Sequence, residues 1–236
     1  MKFLDIPTLA RLNSFLDNVD VGDLIVQGDL EAFSCKLAGL DKKLSRSLEE
    51  EVMESSSPAE LGKSPVGPLS DSGSRRTLVY LILTLNQIYP DYDFTLLRSQ
   101  HFRKEEGVPS IEETVDAHLV EVGKVWETTP GFGEEPFLDC LWAAIDEVID
   151  MKECDVYSYQ SDLETDPFGE KGSVWSFNYF FYNRKQKRIL YFSCRGMSKS
   201  AVELSVTTDY KYNTDDEGGD GEEDGVATSM ANEMDL

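Results

Sequence analysis

The sequence predicts an α/β domain of the α+β kind: a central antiparallel sheet of about five strands flanked by about four helices. Three observations predict it. Val174–Tyr182 alternates in strand fashion, and Arg188–Arg195 continues as a second strand after a short polar turn. Three amphipathic helical stripes fill the middle of the chain. Further strand-like runs lie near the start, so strands sit toward both ends with helices between.

The elements follow in order. Leu9, Leu12, Leu16 and Val19 share one helical stripe, Pro7 suits a first turn, and Gly22 ends the pattern. Two short strand runs come next, Leu24–Gln27 and Leu30–Leu37, with Gly28-Asp29 read as a tight turn. Between Leu40 and Ser74 stand nine serines and three prolines, with almost no aromatic or β-branched residues. Such a stretch buries too little apolar surface to offset its ordering entropy, so 40–74 is expected to be a disordered insertion within one domain. The domain then comprises 1–39 and 75–196. Leu78, Leu81, Ile82, Leu85 and Tyr89 form the next helical face, stopped by Pro90. Ile111, Val115, Leu119, Val122 and Trp126 form another, with Ser110 and Glu113 read as a capping box. Leu138, Leu141, Trp142, Ile145, Val148 and Ile149 form the last. Asp155–Tyr159 reads as a short strand. The hairpin follows, antiparallel because so short a connection cannot support a parallel crossover. Beyond Gly196, residues 197–236 read as a disordered acidic tail.

Charge narrows the function. The 236 residues carry a formal net charge of −23. From Asp209 onward ten acids face one base, Lys211, so that segment alone is −9 and the rest −14. Proteins that grip nucleic acid by its phosphates need basic surfaces, so sequence-specific DNA binding is not expected. The four cysteines make no Cys-x-x-Cys pair and the start lacks the apolar core of a signal peptide. No run approaches the roughly 18–20 apolar residues that cross a bilayer, so no membrane partner is expected. Together these read as an intracellular chain with reduced thiols. His118 falls off its helix's apolar stripe, which places it at an exposed position.

Few motifs suggest chemistry. The aromatic hairpin is a core strand pair under helices or, less in keeping with the acidity, a base-stacking RNA platform. Its turn gathers Arg184, Lys185, Lys187 and Arg188, the densest basic patch in the chain. That patch is a partner-docking or nuclear-import site, or a solvated hairpin end. Ser57-Pro58 and Ser64-Pro65 are proline-directed phosphorylation patterns, and Ser45 follows two lysines in Lys42-Lys43-Leu44-Ser45. Each phosphate would add about two negative charges. Asp162 and Asp166 are candidates for paired carboxylates or, more simply, turn formers beside Pro167 and Gly169. Nucleotide-binding glycine fingerprints, nucleophile elbows and metal-ligand spacings are absent, so neither catalysis nor a cofactor is expected.

Five segments carry a resemblance. EAFSCK (Glu31–Lys36), PDYDF (Pro90–Phe94), LWAAIDEVI (Leu141–Ile149), YSYQSDLETDPFGE (Tyr157–Glu170) and VWSFNYFFYNRKQKRILYFSCR (Val174–Arg195) resemble the Maf-one family, negative regulators of RNA polymerase III. The match spans about residues 1–196, loosely in the serine-rich part. The resemblance implies a repressor that binds the polymerase and its TFIIB-related initiation factor and blocks promoter recruitment. It also implies control by nutrient- and stress-responsive kinases and a phosphatase, and shuttling between nucleus and cytoplasm. On it, Ser57 and Ser64 match the kind and place of the family's regulatory sites, and Ser70 fits a further one. The turn Arg184–Arg188 matches a segment tied to nuclear entry or polymerase contact, with Gln186 where many members carry Leu. Asp162 and Asp166 become partner-binding candidates.

Overall fold

The computed structural model describes residues 1–160, 167–168 and 172–202. Its elements are β1 (Lys2–Leu4), α1 (Pro7–Leu16), β2 (Val19–Asp20), β3 (Leu24–Ser34), α2 (Gly39–Ser55), α3 (Pro58–Gly62), α4 (Ser72–Ile88), β4 (Phe102–Lys104), α5 (Val108–Thr128), α6 (Phe137–Ile149), β5 (Asp155–Tyr159), β6 (Ser173–Asn183) and β7 (Arg188–Ser198). The strands form one seven-stranded antiparallel sheet in the order β1-β3-β7-β6-β5-β4, with β2 also on β3. While the two expected runs near the start join into the single β3, three strands, β1, β2 and β4, were not expected and are each only two or three residues long. Runs that short have no period to read.

Alternation along the hairpin separates two cores. Phe177, Tyr179 and Phe181 of β6 join Leu190 and Phe192 of β7 beneath α1, α5 and α6. Phe180 and Tyr182 point the other way, with Ile189 and Tyr191, beneath α2 and α4. The hairpin is therefore the middle of a three-layer sandwich. Phe180, Phe181, Tyr191 and Phe192 are fully buried, and rings so covered offer no stacking platform for RNA bases.

Several local expectations are corrected. β3 runs unbroken through Gly28-Asp29, which pair with Cys194 and Ser193 of β7. Gly28 serves close packing: a Cβ there would lie 3.2 Å from Leu16 Cδ1 and 3.3 Å from Cys194 Sγ. Asn13 of α1 secures the open edge of β3. It donates from Nδ2 to the Leu30 carbonyl and accepts from the Leu30 N–H, both at 2.9 Å. α5 starts at Val108, ahead of the expected capping box, with Gly107 as its N-cap, whose φ of +150° suits glycine, and Pro109 in the first turn. β7 continues to Ser198, paired with Leu24, so ordered chain extends past the expected tail boundary.

The largest correction concerns 40–74. It holds α2, α3 and the first turn of α4, with Ser45, Leu48, Val52, Val66 and Leu69 buried. Ser45, Leu48 and Val52 recur at helical spacing, so α2 needs only that narrow stripe to pack on α4. Ion pairs lie along it: Asp41 with the Met1 ammonium, Glu49 with Arg76 and Glu51 with Arg98 (2.8 Å). A compositional count misses this, because the covering surface comes from α4 rather than from the segment itself.

Candidate functional site

The basic turn is held in a defined pose. Asn183, 1 % exposed, donates from Nδ2 to the carbonyl of Ile149 at the end of α6 (2.8 Å) and accepts from the Gln186 N–H (2.9 Å). Lys187 adopts a left-handed backbone (φ 53°), and its carbonyl accepts from the Cys35 N–H. Arg184, Lys185, Lys187 and Arg188 are all exposed. Two are partly neutralised: Arg184 reaches Asp155 at 3.2 Å and Lys185 pairs with Glu153, whose carboxylate holds the ammonium above its usual value. Arg188 donates to the Val148 carbonyl (3.1 Å). The four cations thus present one exposed surface in a defined pose at the end of the hairpin.

The four serines stand in different surroundings. Ser57 is exposed and caps α3, in a capping box with Glu60. Ser70 is exposed just before α4, and its carbonyl accepts from Arg75. Ser64 is half-buried, its hydroxyl donating to the Gly67 carbonyl. Ser45 is only 5 % exposed, inside the buried face of α2. Asp162, Asp166 and the acidic tail from Glu203 lie outside the described residues.

His118 is exposed, as expected, with its ring 4.8 Å from that of Trp175. Cys35 and Cys194 are buried, Cys140 and Cys154 half-buried, and all four are free thiols. Burial pushes Cys35 and Cys154 up to about 12, which leaves them unreactive as thiolates. Among the described residues no cluster of three or more metal-ligating side chains occurs, and no helix is long and apolar enough to cross a membrane.

A cleft of about 930 Å³ that no sequence motif announced opens on the α4 face of the sheet. Successive rungs across β3, β7 and β6 explain it. Phe33–Ile189–Tyr182 is apolar and covered by helix. Glu31–Tyr191–Phe180 is mixed. Asp29–Ser193–Asn178 and Gln27–Arg195–Ser176 are polar. α4 ends at Ile88, before Pro90, so the polar rungs form an open floor. A hydroxyl chain crosses it: Tyr89 meets Tyr191 at 3.2 Å, and Tyr191 donates to Asn178 Oδ1 at 2.8 Å. Burial, then the charge of Asp29, pushes the Glu31 carboxyl up to about 8, and burial raises Asp29 as well. The spacing Asp29-x-Glu31 within an apolar strand was the available signal, hidden by reading Gly28-Asp29 as a turn.

A pH effect follows. Between the ordinary glutamate value of 4.5 and about 8, unfolded Glu31 is ionised while folded Glu31 keeps its proton. The unfolded state then binds fewer protons, so this group's contribution falls as pH rises through that window. Glu31→Gln should match the parent's stability near pH 4.5 and exceed it by about 1–2 kcal/mol at pH 8.5, after discounting for partial exposure. Urea unfolding at the two pH values measures this, and an unchanged difference would refute it.

Comparison with known proteins agrees with this architecture. Residues 26–193 match the family model described as Maf1 regulator. A protein of Dictyostelium discoideum named a repressor of RNA polymerase III transcription is 33% identical over 252 aligned residues, covering 86% of this chain and 87% of the relative. A Schizosaccharomyces pombe protein, named repressor of RNA polymerase III transcription maf1, is 34% identical over 228, covering 92% and 90%. A crystal structure of citrus MAF1 superimposes with a TM-score of 0.68 at 41% identity, over 81% of this chain and 99% of that one. By the family-model match and by identity over most of its length, this chain belongs to the Maf1 regulator family.

Proposed function

We propose that this chain is a non-enzymatic repressor of RNA polymerase III transcription. It binds the polymerase core and its TFIIB-related initiation factor and so prevents promoter recruitment. Regulatory kinases phosphorylate the 40–74 segment and a phosphatase reverses this, so that repression and the balance between nucleus and cytoplasm follow nutrients and stress. Family membership carries this reading, and the ordered cationic turn supports a docking role within it. A basic segment acting as an extended import peptide would have to leave the Asn183↔Arg188 pairing and the anchor on Ile149. Docking needs no such opening, and in an acidic chain a basic surface suits an acidic patch on a partner.

The test is a reconstituted promoter-dependent transcription assay. The unchanged chain should inhibit RNA polymerase III. The variant Arg184→Glu/Lys185→Glu/Lys187→Glu/Arg188→Glu should need about tenfold more protein for the same inhibition. Its melting should stay close to the parent's, since exposed ion pairs contribute about 1 kcal/mol or less each. Full inhibition by the variant removes the turn from the mechanism, and no inhibition by the parent removes the reading itself.

A further inference from the structure

We propose that the cleft beyond the end of α4 binds an arginine side chain presented by a partner polypeptide. The first observation is a carboxyl pair without a counter-ion, which holds a proton until a cation displaces it. Asp29 and Glu31 lie two residues apart on one face of β3, their carboxyls close enough to hydrogen-bond to each other, and have no cationic partner among the described residues. Asp17 adds a third acid on the rim, while Arg195, a cation in the cleft, is engaged with Gln27 (2.9 Å). Adjacent half-buried carboxyls favour a planar guanidinium, which bonds two acceptors at once, over an ammonium, which acts as a point charge.

The second observation is independent of charge. Asn178 is only 5 % exposed, and its Oδ1 is taken by Tyr191. Asn178 lines the cleft and its Nδ2 has no acceptor among the described residues, so this donor is available to the backbone carbonyl of an incoming peptide. At one end Tyr89 packs edge-on against Phe168 with centroids 5.3 Å apart, and Tyr92 stands beside it, 41 % exposed. Rings so placed suit the stacking of a guanidinium. The cleft volume exceeds that of one side chain, leaving room for flanking peptide residues. The excess of acids disfavours phosphate or nucleic acid.

The probe is the peptide acetyl-Gly-Arg-Gly-amide, titrated into the full chain and followed by backbone amide NMR shifts. Its uncharged citrulline counterpart and its lysine counterpart serve as comparisons. Saturable shifts are expected at Asp29, Glu31, Asn178 and Ser193, with both other peptides weaker, the citrulline one by about tenfold or more. The isosteric variant Asp29→Asn/Glu31→Gln should fold at least as well as the parent and bind the arginine peptide about tenfold more weakly. Equal binding of arginine and citrulline peptides, full binding by the double variant, or shifts confined to other surfaces would overturn the assignment. Equal binding of the lysine peptide would overturn the preference for guanidinium. Self-association of the parent that the double variant abolishes would put a second copy's basic turn in the cleft in place of a separate partner. Peptide binding does not depend on repression, so a chain that fails to inhibit the polymerase leaves this assignment standing, and the reverse also holds.

Discussion

Replacing Trp126 by alanine should lower stability by about 3–5 kcal/mol, the range for emptying a large aromatic site in a packed core. Trp126 is fully buried near the end of α5 and joins three elements. Its ring meets Phe132 at 4.7 Å, Phe15 of α1 at 4.8 Å and Phe137 of α6 at 5.3 Å. The Nε1–H donates to the Glu135 carbonyl at 2.9 Å, closing the loop between α5 and α6, and the Arg11 guanidinium stands 5.1 Å from the ring centroid. Truncation therefore removes apolar contact, an edge-to-face pair with Phe15, two tilted ring pairs and the partner of a loop carbonyl together. For a domain of this size the thermal midpoint should fall by about 10–15 °C. Trp126→Phe keeps most of the ring contact but loses the N–H, so it should cost about 1–2 kcal/mol. Calorimetry of both variants checks this, and near-equal losses would mean that the hydrogen bond rather than packing dominates the site.

That cluster was legible in advance, because Trp126 ends a clean helical stripe from Ile111. The same holds for α1, α6, β5 and the hairpin, where the apolar period runs long enough to be counted and each element buries its own stripe. Legibility fails where the covering surface belongs to another element. Leu48 and Val52 look too few to order a serine-rich segment, yet α4 supplies the rest of that interface. At Gly28-Asp29 a turn signal and a close-packing requirement use the same residue type. Only the position of Leu16, distant in sequence, separates them. The site divides in the same way. The basic turn is contiguous and could be read directly, but its neutralisation by Glu153 and Asp155 depends on β5 lying beside β6. The polar cleft depends on register between β3, β7 and β6, which brings Asp29 opposite Ser193 and Ser193 opposite Asn178. No single segment contains that information.

Introducing a negative charge at Ser45 should release α2 from the domain, whereas the same change at Ser57 should leave α2 in place. Ser45 shares the buried face of α2 with Leu48 and Val52. A carboxylate buried there without a partner costs several kcal/mol, so the helix undocks instead of burying it. Ser57 is exposed at the start of α3, where a negative group favours the helix end although it crowds Glu60. Ser45→Asp should therefore lose stability by about 2–4 kcal/mol, the range for a buried, unpaired charge. Ser57→Asp should change by less than about 1 kcal/mol. Hydrogen exchange separates the two outcomes, with protection lost across Gly39–Ser55 in the first variant and kept in the second. Protection retained in Ser45→Asp would refute the release. Within the phosphorylation control proposed above, the four serines then have unequal roles. Ser57 and Ser70 are open to a kinase on the folded domain. Ser45 is open only after α2 leaves α4, and a phosphate placed on it then opposes redocking. Modification at Ser45 would thereby hold the segment open, exposing Leu48, Val52 and the apolar face of α4 beneath them.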